Sequence, residues 1–230
     1  MGDIDKSADI SKWQELEKNL PPYLYDETGA LKEWATTSFD ENNEHRHLSH
    51  LYGVWPLFET QGNDELSKAC EQAIANRQSE NEASHALVHR SLIASRLKDS
   101  DSLTDALVKL MNHKIRYDSL MTNHDYDQGS CYCTDFAIGY LGIINESLVY
   151  SHNNDIEFLP ALPNSGFENG TLKGIKTRNR ATVTELKWTD GGKTISATVT
   201  SDIDQKLNIK AGGKSQTVEF KAGESKTFKF

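Results

Sequence analysis

The sequence predicts an α plus β fold, mainly helical at first and β-stranded towards its end. Up to about residue 155, apolar residues recur every three or four positions, which is typical of amphipathic helices. Beyond that point they alternate with polar residues, which is typical of half-buried strands. The chain has 230 residues, of which 37% are hydrophobic, so it is long enough for two domains. We expect a helical domain over residues 1–154 and a β-domain over residues 155–230.

Five segments of the first part have the helical period. The last is the most apolar, because Phe136, Ile138, Leu141 and Leu148 give it a wide apolar face. Such a face predicts burial against more than one neighbour. These helices do not form an obvious closed bundle and indicate part of a helical barrel whose other half lies elsewhere. The predicted helices are residues 11–20, 65–77, 82–97, 102–113 and 135–151.

Short strands separated by turn signals follow from residue 156 onwards. Asp190-Gly191-Gly192 and Gly212-Gly213 are strong turn sequences. Six short strands in about 75 residues are typical of a small antiparallel sandwich. After an opening segment at residues 156–159, the predicted strands are residues 171–176, 181–188, 194–200, 206–209, 217–220 and 225–230.

Composition argues against several classes of partner. The net charge is −9, whereas binding a nucleic-acid backbone needs clustered Lys and Arg. No stretch approaches the ~20 apolar residues of a membrane span. The polar, acidic first residues do not resemble a signal peptide, and the cellular compartment stays open. Cys70, Cys131 and Cys133 form neither a disulfide framework nor a zinc pattern, so we expect no metal and no cofactor.

The long segment over residues 21–64 is rich in side chains that can take part in chemistry. His45, Arg46, His47 and His50 fall within six residues of it. Long loops with such a concentration of functional side chains are usually site loops. The three histidines have no carboxylate or cysteine at ligand spacing, which argues against a metal site.

Four sequence motifs occur in order along the chain. They are GALKEW at residues 29–34, HRHLSHLYGVWP at residues 45–56, TDFAIG at residues 134–139 and IEFLPALP at residues 156–163. Together they resemble glycoside hydrolase family 95, the α-L-fucosidase family. The first two resemble its paired motif, the third takes the place of the family's Asp-Gly-Asn-Phe-Gly segment, and the fourth resembles its join to a C-terminal β-domain. The resemblance implies the C-terminal part of an (α/α)6 barrel followed by a β-sandwich. It also implies inverting hydrolysis of terminal α-L-fucosyl or related residues.

Asp135 is the candidate catalytic residue. Its position at the start of the strongest predicted helix indicates an N-cap. The resemblance implies instead that it polarises or deprotonates the attacking water, and a helix N-terminus favours the ionised carboxylate that such a base needs. Inverting enzymes also need a general acid. In the family that acid lies upstream, in a Ser-Pro-Glu-Asn segment that this sequence lacks, so the resemblance implies half of an active site.

The candidate substrate-binding residues come from the paired motif. The resemblance implies that Arg46 and His47 contact sugar hydroxyls, although a His-rich turn can also tie loops together. His50 is a candidate direct ligand or a supporting residue. Trp34 can stack on a sugar face or belong to the core. Glu33 is a candidate supporting group or a rival general acid.

Further histidines lie outside that motif. His85 and His89 are four residues apart on one predicted helix face, where they could bind sugar or metal or be partly buried polar residues. The family tends to place a His shortly before its catalytic Asp. The nearest one here is His124, eleven residues before Asp135.

Two functions remain open at this stage. The first is part of a glycosidase with a glycan as substrate. The second is a non-catalytic module that binds a glycan or a partner chain. Half a barrel would expose apolar faces, so we expect a missing N-terminal segment, a second chain or self-association to cover them.

Overall fold

The computed structural model describes residues 7–78, 83–111, 122–124 and 131–230. In these residues the chain forms five α-helices followed by nine strands, and a short 3₁₀ helix, Ser49–Gly53, lies between the first two α-helices. No helix of this described part is long and apolar enough to cross a membrane. The helices are α1 Ser11–Lys18, α2 Asp64–Ala75, α3 Ser84–Leu97, α4 Ser100–Leu110 and α5 Thr134–Leu148.

Side-chain caps decide where two of the helices begin. The side chain of Asn63 accepts a hydrogen bond from the backbone N–H of Leu66 at the start of α2. Asp99 does the same for Ser102 at the start of α4. Such caps satisfy N–H groups that have no partner inside the helix.

Helix α3 lies at the centre of the helical part and packs mainly on α4 and α5. Its close approach to α5 depends on Gly139, where an added Cβ would lie 2.6 Å from Cγ1 of Val88. One apolar cluster fills the space between these three helices, and a second joins α2 and α3 to the loop before α2. Representative members are Leu87, Leu103, Phe136 and Ile143 in the first and Leu48, Leu51, Ile74 and Ile93 in the second.

The β-part consists of two facing sheets with an apolar core between them. One sheet has the strand order β1-β2-β7-β8, and the other has β3-β5-β6-β9 with β4 also paired to β5. The strands are β1 Val149–His152, β2 Asp155–Phe158, β3 Gly170–Leu172, β4 Ile175–Lys176, β5 Ala181–Thr189, β6 Thr194–Ser201, β7 Gln205–Ala211, β8 Lys214–Phe220 and β9 Ser225–Lys229.

The prediction of a helical part followed by a β-part is confirmed, with two corrections to the strands. The expected sandwich was antiparallel throughout, but β2 pairs with β7 in parallel. Strand direction depends on how the connecting chain crosses the molecule, which alternation within a strand does not report. The predicted strand at residues 171–176 is two short strands, because Gly174 has a left-handed φ of 74° that interrupts the extended backbone.

The helix predicted to end at residue 151 ends at Leu148 instead. The following residues form β1, which pairs antiparallel with β2 through a turn in which Asn153 has a φ of 48°. Val149 is β-branched and buried, which suits a paired strand better than a last helical turn. The domain division expected between residues 154 and 155 stays a prediction, and β1 and β2 pair across that position.

Helix α5 buries only part of its wide apolar face. Phe136, Ile143 and Leu148 are buried, whereas Ile138 is 77% and Leu141 is 69% exposed. The residues i, i+3 and i+4 of a helix share one face, so the two exposed side chains form an apolar strip along the outer side of α5.

Candidate active site

A cleft of about 530 Å³ lies where the His-rich loop, defined here as residues 42–50, meets the starts of α3 and α5. One wall is apolar and comes from the two packed helices, with Val88 and Leu92 on α3 and Ile138 on α5. The polar lining residues are Arg46, His47, His85, His89, Thr134 and Asp135. The fold therefore brings together Arg46, His47 and Asp135, three of the six candidate catalytic and substrate-binding residues, with the further histidines His85 and His89.

Asp135 lies in the first turn of α5 with its side chain exposed to the cleft. The N-cap position is held by Cys133, so Asp135 is not itself the N-cap. The thiol Sγ of Cys133 lies 3.8 Å from Oδ2 of Asp135. The unpaired N–H groups of the first helical turn carry partial positive charge, which attracts an acidic side chain placed there.

A short two-stranded bridge holds the chain just before Asp135. Asn123 pairs with Tyr132 across it. The N–H of Cys133 donates to the carbonyl oxygen of Thr122 at 3.1 Å, and the hydroxyl of Thr122 donates back to the carbonyl of Cys133 at 2.5 Å. The carbonyl of His124 accepts from the N–H of Ser84 at 2.6 Å. These bonds connect the start of α5 to the start of α3.

Four imidazole rings form a row beside the cleft. The ring centroids of His45 and His47 are 5.0 Å apart, those of His47 and His85 are 5.1 Å apart, and those of His85 and His124 are 4.9 Å apart. The row joins the His-rich loop, helix α3 and the bridge that precedes α5. His124 is thus near the site in space, despite its separation of eleven residues from Asp135 along the chain.

The two histidines of α3 are held in their neutral form. Burial lowers the pKa of His85 to about 4, and the neighbouring His124, His47 and Arg46 add to the effect while Asp135 opposes it. Burial also lowers the pKa of His89, although its hydrogen bond to the backbone of Trp55 acts in the opposite direction. A neutral imidazole has one donor and one acceptor nitrogen, so both side chains can hydrogen-bond uncharged hydroxyl groups at pH 7.

The remaining candidates do not line the cleft. Glu33 and His50 both lie against the guanidinium group of Arg77, each with its nearest atom 3.4 Å from Nη2. Trp34 is exposed and packs edge-to-face on Phe39 with a centroid separation of 5.4 Å. It belongs neither to the core nor to the cleft wall.

Asp135 is the one carboxylic acid among the described residues that line the cleft. Inverting hydrolysis uses two carboxyl groups on opposite sides of the sugar, so these residues account for one of the two. Within the described part of the chain, no group of three or more His, Cys, Asp and Glu side chains is arranged to hold a metal ion.

From the sequence, His85 and His89 were open between ligand binding and partial burial. Their spacing of four places them on one helix face but does not say what that face contacts. Nothing in the sequence marked Arg77, because it lies at the end of an ordinary amphipathic helix.

Profiles of two domains match the chain in succession. The glycosyl hydrolase family 95 catalytic domain matches residues 2–148. The C-terminal domain of glycoside hydrolase family 95 matches residues 150–229. Together they cover the helical part and the β-part.

Two relatives have related sequences. Alpha-L-fucosidase 2 of Arabidopsis thaliana is 29% identical over 194 residues, which are 79% of this chain and 22% of that protein. Probable alpha-fucosidase A of Aspergillus oryzae is 28% identical over 221 residues, which are 86% of this chain and 28% of that protein. The chain thus spans less than a third of the length of either relative.

Among solved structures, a putative kojibiose phosphorylase from the human microbiome is similar with a TM-score of 0.43 and 11% sequence identity. The match covers 98% of this chain and 36% of that one. A likeness at this level says nothing about function.

Proposed function

The chain belongs to glycoside hydrolase family 95, and we propose that it carries one side of the active site of an inverting glycosidase that removes terminal α-L-fucosyl or related residues from glycans. One observation carries the proposal. Arg46 and His47 from the loop and Asp135 from the start of α5, nearly ninety positions further along the chain, line a single cleft. The names of both relatives, alpha-L-fucosidase 2 and probable alpha-fucosidase A, support the choice of sugar.

Asp135 is the base-side carboxylate in this proposal. Its exposed side chain faces the cleft from the first turn of α5. An ionised carboxylate can accept a proton from the water that attacks the anomeric carbon, and this is the role of the base in an inverting mechanism.

Arg46, His47 and His85 hold the hydroxyl groups of the sugar. Arg46 offers several donors in a fixed plane, and the neutral imidazole of His85 can donate or accept. The apolar lining residues Val88, Leu92 and Ile138 suit the C–H groups of a pyranose ring. A sugar in the cleft would therefore be oriented by both hydrogen bonds and apolar contact.

The general acid lies outside these 230 residues in this proposal. Only one carboxyl group lines the described cleft, and Glu33, the rival acid in the sequence, is engaged with Arg77. The helices are the C-terminal part of an (α/α)6 barrel. The exposed Leu141, one helical turn beyond the cleft residue Ile138, lies on the face that an N-terminal segment, a second chain or another copy would cover.

A single carboxyl group in the described cleft also favours a second candidate function. A module with Arg46, His47 and His85 in place but no acid would bind a terminal sugar without cleaving it. Both candidates predict that this chain alone binds the sugar without cleaving it. They differ in turnover only when an upstream segment that carries a general acid is supplied together with the chain, so both properties have to be measured.

The test measures release of free fucose from 2′-fucosyllactose and binding of L-fucose by titration calorimetry, for the 230-residue chain and for Asp135→Asn. Asp64→Asn is the matched control, because Asp64 is also an acid in the first turn of a helix but does not line the cleft. We expect binding of L-fucose and no turnover by the chain alone. Turnover that is lost in Asp135→Asn only would place a general acid within these residues and contradict the half-site arrangement. Absence of binding would contradict both candidate functions.

A further inference from the structure

Arg77 lies directly beyond the end of α2, beneath the His-rich loop. Its side chain is only 1% exposed, and a buried cation is tolerated only where it is paired and hydrogen-bonded. Nη1 donates to the carbonyl oxygens of Asn42 at 2.6 Å and His45 at 3.2 Å. Nη2 lies 3.4 Å from Oε2 of Glu33 and 3.4 Å from Nδ1 of His50.

These contacts anchor the His-rich loop at both ends. Asn42 is its first residue and His50 its last, and the carbonyl of His45 belongs to the peptide group that leads into Arg46. A further backbone bond, from the N–H of Gln78 to the carbonyl of Asn43 at 3.0 Å, fastens the loop to the residue after Arg77. The Arg77 side chain therefore holds the orientation of two peptide groups of the loop, those that contain the carbonyls of Asn42 and His45.

The arrangement also connects the two motifs of the sequence. Glu33 belongs to residues 29–34 and His50 to residues 45–56, and both meet at the same guanidinium group. Glu33 is itself held, because its N–H donates to Oε2 of Glu41 at 2.8 Å. Glu41 in turn forms an ion pair with Lys32 at 3.2 Å.

We propose that Arg77 is a positioning residue, whose guanidinium group sets the conformation of the His-rich loop and thereby places Arg46 and His47 in the cleft. Glu33 and His50 serve as its partners and do not bind the sugar. The role of Arg77 in shaping the loop is independent of the ligand, and only its effect on sugar binding rests on the proposed function. Holding several loop acceptors at once requires a planar group with several fixed donors, which lysine does not have.

The protonation state of His50 is consistent with this arrangement. Burial and the nearby charge of Arg77 lower the pKa of His50 to about 3, and His89 adds to the effect. A neutral imidazole can present an unprotonated Nδ1 to the guanidinium group, whereas an imidazolium would repel it.

The test compares Arg77→Lys and Arg77→Gln with the wild-type chain by amide hydrogen exchange, resolved to peptides that cover residues 42–50. Arg90→Gln is the matched control, since Arg90 is a partly buried arginine on α3 whose ion pair with Asp105 lies away from the loop. We expect exchange in residues 42–50 to become at least about tenfold faster in both Arg77 variants while the β-part is unchanged. Arg90→Gln should leave the loop at the wild-type rate.

Two further measurements distinguish a positioning role of Arg77 from a contribution to overall stability alone. Exchange in Arg77→Gly should be slowed again by added ethylguanidinium, which can occupy the space of the missing side chain, and not by ethylammonium. The affinity for L-fucose should fall about tenfold in Arg77→Lys and in Arg77→Gly. In Arg77→Gly it should recover with added ethylguanidinium, because the cleft residues would return to their places.

Loop exchange at the wild-type rate in folded Arg77→Lys would overturn the inference, whether or not the wild-type chain binds L-fucose. If the Arg77 variants do not fold, Glu33→Gln takes their place, because it removes the charged partner and leaves the arginine. Faster loop exchange in Glu33→Gln supports the inference, and an unchanged rate contradicts it. Failure of the wild-type chain to bind L-fucose would remove the proposed function alone, since the exchange comparison still decides the role of Arg77.

Discussion

The carboxylate of Glu146, near the end of α5, accepts a hydrogen bond of 2.7 Å from Nε of Arg96 on α3, with side chains only 6% and 1% exposed. Arg178, from the loop between β4 and β5, reaches the other oxygen of Glu146. The guanidinium group of Arg96 also lies 3.7 Å from the ring centroid of Phe58. The carboxylate of Glu146 therefore pairs with both Arg96 and Arg178 where the helical part meets the β-part.

Replacing Glu146 with Gln should lower the free energy of unfolding by about 3 kcal/mol, because removing one partner of a buried pair leaves an uncompensated charge. Urea unfolding followed by circular dichroism measures the change. The control is Glu157→Gln, which breaks an ion pair with Lys98 of the same 2.7 Å length but with more exposed side chains, 18% for Glu157 and 45% for Lys98. An exposed pair contributes less than about 1 kcal/mol. Equal effects of the two substitutions would contradict the importance of burial here.

Gly139→Ala should destabilise the chain by about 1–3 kcal/mol, because the new methyl group would overlap Val88 and force α3 and α5 apart. Gly142→Ala is the matched control on the same helix, where an added Cβ would lie 3.8 Å from Leu92, an ordinary contact. That change should stabilise the helix by about 0.5–1 kcal/mol. Combining Gly139→Ala with Val88→Ala should restore part of the loss. A neutral effect of Gly139→Ala would show that the two helices are not closely packed at this point.

Stability should fall as the pH is lowered below about 6.5, partly through His50. The folded protein keeps this side chain unprotonated down to a pKa of about 3, whereas the unfolded chain takes up a proton near pH 6.5. The stabilising difference is thus complete above the unfolded pKa and decreases as the pH falls towards 3, by up to about 1.4 kcal/mol per pH unit. Urea midpoints at pH 7, 6 and 5 give the slope. His50→Gln should reduce that slope, and an unchanged slope would refute the assignment to His50.

His85→Ala should weaken binding of L-fucose by roughly two- to tenfold, the usual range for one hydrogen bond to a neutral group. His85→Asn, which retains a donor and an acceptor, should recover part of the affinity. The control is His152→Ala, because His152 stacks on Phe58 at 3.9 Å and does not line the cleft. Calorimetric titration measures all three. An affinity unaffected by His85→Ala would exclude this side chain from sugar binding.

The sequence determined the periodicity of most elements and the residue types of the site. Asn63 and Asp99 cap the helices that follow them, and alternation located the long strands β5 to β7. These are local properties, since a cap or an alternating strand depends on neighbours within a few residues. The recurrence of His and Arg at residues 45–50 likewise marked the loop as functional before its surroundings were known.

Only the tertiary structure decided which of these side chains meet. His85 and Asp135 are fifty positions apart and line one cleft, whereas Glu33 and His50, which lie in the motifs themselves, are drawn to Arg77. The parallel pairing of β2 with β7 and the change from helix to strand at Val149 depend on partners distant in sequence. The reason is that a buried charge and an unpaired strand must be satisfied by whatever the fold places beside them, and local sequence does not encode that neighbour.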